Sequence, residues 1–225
     1  MTSMTGYEPI KFVSTAAHSG ASKGTADWPL LRTAEVYLNY AEAKAELGTL
    51  TQDDLTVSID KIRERAGMGG LDMEAANADP DPFLLACYPN VTKSANTGVI
   101  LEIRRERTVE MVMEGLRMWD MFRWKEGAQM VNETAPYYGI YFPGPGLYDM
   151  DGDGKNDLEL YAAQQTSTPA DGLTVLKIGS DIVLSEAADN RGYVVAWSAL
   201  KYTWNEERDY LRPIPADQRV LTGGL

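Results

Sequence analysis

Residues 100–127, ILEIRRERTVEMVMEGLRMWDMFRWKEG, decide how this chain is read. Nothing in the run interrupts a helix before Gly115. Glu106, Glu110 and Glu114 recur every four residues, so on a helix they share one stripe. Like charges on one stripe repel unless cations meet them. Arg107, Arg117 and Arg123 lie within the run, with Asp120 among them, and Arg32, Arg63 and Arg65 lie upstream. Ile100, Ile103, Met111 and Met118 supply apolar surface, with Trp119, Phe122 and Trp124 beyond. The pattern predicts two helices meeting near Gly115, with the charges serving in part as ties between helices. The alternative is a solvated amphipathic helix.

The chain has 225 residues, 44% of them hydrophobic, which is enough for one large domain or two small ones with a real core. Its 33 Asp and Glu against 21 Lys and Arg give a net charge of −12. That balance argues against nucleic acid and against an anionic lipid surface, both of which need basic patches. The single cysteine, Cys87, excludes an intrachain disulfide and reads as a small buried apolar residue. No apolar run is long enough to span a bilayer, and no signal peptide or lipobox is visible. The only histidine, His18, borders a Ser- and Gly-rich loop with no helper nearby, so no Ser-His-Asp triad is expected. Phosphate-loop, dinucleotide and zinc spacings do not occur.

Upstream of the central run, Asp27 is a plausible N-cap, Pro29 suits a first turn, and Gly48 ends a helical pattern carried by Leu31, Ala34, Leu38, Ala41 and Ala45. A second helix is predicted over residues 51–66, with Leu55, Ile59 and Ile62 on one side and Gly67, Gly69 and Gly70 as its stop. Two such helices joined by a short turn form a hairpin. Residues 71–96 read as a loop with a short helix near Phe83–Cys87. Downstream, residues 136–148 are aromatic and Pro-rich, short strands are expected between Leu173 and Leu184 and at residues 193–197, and residues 6–13 read as a strand. The fold class is therefore mainly α, with tetratricopeptide-like helical hairpins over 29–127. A loop-rich, irregular C-terminal portion with a few short strands follows over 128–225.

Asp149, Asp151, Asp153, Gly154 and Asp157 spell D-x-D-x-D-G-x-x-D. Alternate carboxylates on a curled loop converge on one centre, and calcium takes six to eight such hard oxygens. The Lys155 carbonyl would fill the backbone position. Leu160 stands where an EF-hand places a bidentate Glu, so the loop is not of that type. The reading is a structural Ca2+ site at Asp149, Asp151, Asp153, Lys155 and Asp157; the alternative is an acidic turn in which Asp favours tight bends.

The central run also carries a family resemblance. ERTVEMVMEGLRMWDMFRW, residues 106–124, resembles the signature of the SusD/RagB family: Glu-Arg, then Glu-Leu, Glu-Gly-x-Arg and Asp-Leu-x-Arg-Trp. Met111 and Met121 stand where the family usually has Leu. Residues 27–48 resemble the family's paired-helix opening, IRERAG at 62–67 its following helix end, and YLRPIP at 210–215 its closing segment. The resemblance implies a non-enzymatic protein of the bacterial outer membrane and cell surface. It would capture oligosaccharides, or sometimes peptides, and deliver them to a SusC-like TonB-dependent transporter. It also implies lipid anchoring through an N-terminal part absent from this chain. Aromatic rings suit that task, because the apolar face of a sugar stacks on them; Tyr138, Tyr141, Trp197 and Trp204 are the candidates, and for each the alternative is ordinary packing. Competing readings are a helical-repeat scaffold that binds protein or peptide and, further off, a glycan-active hydrolase with paired carboxylates. An array of helices cut open also exposes an apolar face, which predicts self-association.

Overall fold

The computed structural model describes residues 5–7, 11–12, 29–131, 138–165, 167, 172–196, 203–211 and 214–223. His18, Asp27 and Trp197 lie outside the described residues. The chain divides into two compact units, one of residues 1–11 and 133–202, the other of residues 12–132 and 203–225. Residues 203–225 thus group with the helices, and the strands fall in the other unit.

The helical unit opens with α1 (Thr33–Glu46), whose N-cap position is Arg32. Leu38, Ala41 and Ala45 are buried, and the helix packs on α3 and α6. The predicted second rod is two pieces, α2 (Gln52–Thr56) and α3 (Ile59–Arg65). A reciprocal capping box of Thr51 and Asp54 starts α2. The break falls at Val57 and Ser58, directly after Thr56. Two β-branched residues are poor helix formers there, and the fully buried Ser58 adopts φ −126, ψ −88 while its hydroxyl donates to the Asp54 carbonyl at 2.5 Å.

Residues 71–96 hold two short helices, not one. In α4 (Met73–Ala78) the Asp72 carboxylate accepts from Ala75 N at 2.9 Å; α5 (Pro82–Cys87) is capped by Asp81 with Pro at its start. The central run forms α6 (Thr97–Glu110) and α7 (Arg117–Trp124), separated at Gly115, whose φ of +78 only glycine adopts freely. Then come α8 (Gly127–Val131) and, from the last segment, α9 (Ala216–Leu221), a helix that the sequence reading left out. Leu55, Ile59, Val99, Leu101 and Ile103 are fully buried at the centre of this unit.

The second unit carries the short strands that the sequence predicts for the C-terminal portion of a mainly α chain. It holds β1 (Tyr138–Phe142), β2 (Gly146–Tyr148), β3 (Leu158–Tyr161), β4 (Thr174–Lys177), β5 (Leu184–Glu186) and β6 (Arg191–Val195). They form two three-stranded sheets, β1-β6-β5 and β2-β3-β4; the first is antiparallel throughout, and β3 pairs β4 in parallel. Phe142, Leu158, Leu160, Ile178, Leu184 and Val194 make its core. Of the strand expected at residues 6–13, Gly6, Tyr7, Lys11 and Phe12 are described, and none of them lies in a strand. The Thr5 carbonyl accepts from Ile140 N of β1 at 2.8 Å.

Candidate functional site

In the helical unit the charges are consumed by one another. Positions 100, 103, 104, 107 and 111 line one face of α6 by helical spacing, and all five are buried, two of them arginines. Arg107 Nε donates to both Asp120 oxygens, at 2.8 and 2.9 Å, and its Nη1 donates to Asn39 at 2.8 Å. Arg123 forks onto Glu42, at 2.6 and 3.0 Å, and also reaches Asp120 at 2.9 Å. Trp124 Nε1 donates to Glu42 at 2.7 Å. Burial pushes the Glu42 carboxyl up, but the hydrogen bonds from Arg123 and Trp124 outweigh it and hold the group below its ordinary value. The hydrogen bond to Glu42 in turn raises Arg123.

The opposite stripe is met from upstream. Arg63 Nη1 lies 3.1 Å from Glu106, Arg65 Nη2 lies 2.6 Å from Glu110, and Arg32 bridges Glu110 at 2.8 Å and Glu114 at 2.7 Å. Arg117 departs from the expected network. Its guanidinium donates to the hydroxyls of Thr108 and Tyr88, at 2.8 and 3.1 Å, and lies 5.8 Å from the ring centres of Tyr88 and Trp124. Thr108 is nearer in space than any acid, so a polar and aromatic seat replaces the ion pair.

Sequence reasoning missed Arg104 and Glu126. Arg104 lies over Trp124 at 4.7 Å and over Tyr88 at 5.5 Å, and reaches Glu46 at 3.3 Å and Glu126 at 3.5 Å. Glu126 is 1% exposed, and burial raises its pKa to about 6. Its carboxylate accepts from Asn90 N at 2.9 Å. Helical spacing from Ile100 gave the signal for Arg104; Glu126, just beyond a helix end, had none.

Trp204, a candidate ring with packing as its alternative, is packed. Its ring lies 5.9 Å from Phe122 and 4.9 Å from Tyr210. A Cβ at Gly127 would sit 2.1 Å from Trp204 Cε2, so glycine is what lets the indole approach. Tyr210 OH accepts from Gly127 N at 3.0 Å. Residues 206–210 turn to seat these rings.

The strand unit holds three exposed tyrosines in mutual contact, whereas Phe83, Trp119 and Tyr40 are exposed in the helical unit. Tyr138 and Tyr141 are 47% and 44% exposed, and they are joined by Tyr193 at 45%. Tyr138 stacks on Tyr193, with ring centres 5.3 Å apart and planes 19° apart; Tyr141 meets Tyr193 edge-on at 5.2 Å. Two residues three apart on a regular strand face opposite sides. Here the β1–β6 register shifts between Tyr138 and Tyr141, and this irregularity brings both to the solvent face. Tyr141 lies directly opposite Tyr193. Alternation along β6, with Gly192 and Val194 inward and Arg191 and Tyr193 outward, is the signal that identifies Tyr193. Arg191 borders the cluster, with Nε 2.8 Å from Glu186 and Nη2 3.4 Å from Asp189. The field of Glu186, with its hydrogen bond and Asp189, raises the guanidinium above its ordinary value.

In the acidic loop, Asp149, Asp151 and Asp153 each bring a carboxylate oxygen within 4.8 Å of the others. Backbone N–H groups of Gly152 and Gly154 donate to Asp149, at 2.7 and 2.8 Å, and hold it below the usual carboxylate range. Asp157 stands outside the group; its Oδ2 accepts from Met150 N at 2.9 Å. Lys155 is 3.4 Å from Asp153 through its ammonium. The three-carboxylate cluster fits part of a hard-cation shell, with backbone donors fixing the loop.

The model of the SusD family, SusD_RagB, matches residues 1–225. The chain belongs to that family. Comparison with curated proteins and with solved structures found no match. The SusD family is known for glycan binding, its members are generally non-enzymatic, and they are typically surface proteins associated with the outer membrane. Among the described residues no helix is long and apolar enough to cross a membrane.

Proposed function

We propose that this SusD family chain is a non-enzymatic oligosaccharide-binding protein of the bacterial cell surface, with its sugar contacts at Tyr138, Tyr141 and Tyr193. The exposed tyrosine cluster carries the reading. Such rings are amphipathic: the ring face meets the C–H face of a sugar, and the phenol meets its hydroxyls. Stacking of Tyr138 on Tyr193 holds two of the three in place before ligand arrives, which lowers the ordering cost of binding. The test is a glycan array followed by titration calorimetry on any hit. Binding that Tyr141→Ala weakens, with no new reducing ends released, supports the reading; an array without hits, or turnover of a hit, overturns it.

Delivery to a SusC-like TonB-dependent transporter, and lipid anchoring through a part outside this chain, belong to the same proposal. A second apolar stripe on α1 supports a protein partner. Val36, Tyr40 and Leu47 are exposed at helical spacing, facing away from the buried Leu38, Ala41 and Ala45. Co-purification with a transporter encoded beside this chain, lost on Val36→Glu, tests it.

A structural Ca2+ at Asp149, Asp151 and Asp153 is also part of the proposal, with the Lys155 carbonyl and Asp157 drawn in as the loop closes on the ion. Three carboxylates within 4.8 Å of one another repel unless a cation offsets them. Calcium at a hundredfold excess over its Kd should add about 2.7 kcal/mol to folding stability. A melting temperature that moves with neither calcium nor EDTA refutes the site.

A further inference from the structure

We propose that the tyrosine cluster selects neutral oligosaccharides and rejects acidic ones, such as uronate polymers. This inference rests on the placement of the sugar site at Tyr138, Tyr141 and Tyr193, and goes beyond it to the charge of the ligand. The polar edge of the cluster is built by three residues of β5, β6 and the turn between them. Arg191 shares the solvent face of β6 with Tyr193, and Glu186 pairs with it across the strands. Asp189 sits in the 3-10 turn Ala187–Asp189 that joins β5 to β6.

An acidic sugar arriving at this edge needs a guanidinium to receive its carboxylate. Arg191 is already engaged by two carboxylates of its own unit, at 2.8 and 3.4 Å. One cation against two anions leaves the edge negative. A uronate would have to displace Glu186 or Asp189, leaving a protein carboxylate without its partner, and would meet the other at close range. The surroundings do not correct this, since the whole chain carries −12. A neutral sugar keeps the pair intact. Its hydroxyls donate to the free lone pairs of Glu186 and Asp189, each carboxylate having about four acceptor sites, while its ring stacks on tyrosine.

The discrimination is electrostatic and at the surface, so it weakens as salt shortens the screening length from about 10 Å at 0.1 M to about 3 Å at 1 M. The edge is also adjustable by substitution. Glu186→Gln with Asp189→Asn frees Arg191 and turns the edge positive without touching a ring.

Affinity electrophoresis in gels cast with starch, xylan, mannan or polygalacturonate, on the full chain, tests this. The expected result is retardation by at least one neutral polymer and none by polygalacturonate. Tyr193→Ala should weaken the neutral interaction about tenfold, equivalent to about 1.4 kcal/mol, while Tyr193→Phe retains it. The double variant should gain retardation by polygalacturonate while keeping the neutral interaction, and the parent should show part of that gain at high salt. Equal retardation of parent protein by neutral and acidic polymers, both lost in Tyr193→Ala, leaves the site in place and overturns the charge selection. A double variant that stays blind to polygalacturonate also overturns it. Neutral retardation untouched by Tyr193→Ala overturns the site itself, as does no retardation by any polymer. Matching circular dichroism of parent and variants makes each loss a loss of contact and not of folding.

Discussion

The helical unit and the strand unit use the same chemistry to opposite ends. Around α6 and α7, aromatic rings and charges are sunk into one another: Arg104 lies over Trp124, Arg107 holds Asp120, and Arg123 and Trp124 share Glu42. Around β1 and β6, three tyrosines and an Arg–Glu pair stand in solvent. A guanidinium buried between a carboxylate and a ring, as Arg104 is at 3% exposure, is closed off from a ligand in solvent. An exposed ring keeps a face and a hydroxyl in hand. The difference shows why the densest motif of a sequence need not be its binding site. The helical signature maintains structure, and the proposed sugar contacts fall to the sparser strand residues.

The comparison breaks if the helical charges prove dispensable. Asp120→Ala leaves Arg107, 4% exposed, without its acid and costs Arg123 a partner. A destabilisation of about 3–5 kcal/mol is expected in urea unfolding, because removing one partner strands a buried charge. Arg65→Ala, at a pair whose arginine is 65% exposed, should cost no more than about 1 kcal/mol. Similar losses at the two positions would show that burial does not set the scale here.

Gly127→Ala tests the packed rings. In a helix, alanine normally stabilises relative to glycine by up to about 1 kcal/mol. Here the new methyl meets the Trp204 indole, so thermal melting should report a net loss of about 1–3 kcal/mol.

Next comes pH. Glu126 has a folded pKa of about 6, above its unfolded value, so the folded state holds the proton more tightly. That contribution is full below the unfolded pKa near 4.5 and fades as pH rises through about 6. The cost amounts to about 1–2 kcal/mol at neutral pH. Glu126→Gln removes the ionisation. Relative to the parent, the variant's melting temperature should therefore rise between pH 5 and pH 7. A constant difference across that range would show that Glu126 does not titrate there.

The smallest stability effect is expected at the cluster. Tyr138→Ala removes one cross-strand aromatic contact, worth about 0.2–1 kcal/mol, and should leave melting nearly unchanged while sugar binding falls. A large loss of stability would make the tyrosines structural and erase the contrast between the units.

Much of the helical unit is legible in the sequence because its rules are local. Four-residue spacing places Glu106, Glu110 and Glu114 on one stripe, and Gly115 marks the joint between α6 and α7. The split at Ser58 escapes, since it depends on one buried hydroxyl competing for a carbonyl. The cap of α4 by Asp72 was visible in principle but hidden among Asn and Pro residues that signal loops. The strand unit is harder to read. The register shift that turns Tyr138 and Tyr141 to one side is a property of the β1–β6 pair and of neither strand alone. Trp204 and Tyr141 look alike as candidates in sequence; what separates them is the ring of Phe122, eighty-two positions before Trp204 in the chain.

Residues 203–211 bring Trp204 and Tyr210 back onto Phe122 and the first turn of α8. That return works as a clasp closed by residues some eighty positions further along the polypeptide. A chain cut before Thr203 would keep every residue of the helical signature yet leave Phe122 bare of both rings and the Gly127 amide without its phenol. During synthesis the signature helices therefore wait, incompletely covered, until Trp204 and Tyr210 emerge. A shortened expression product is expected to be sticky and readily digested even though its most recognisable segment is whole.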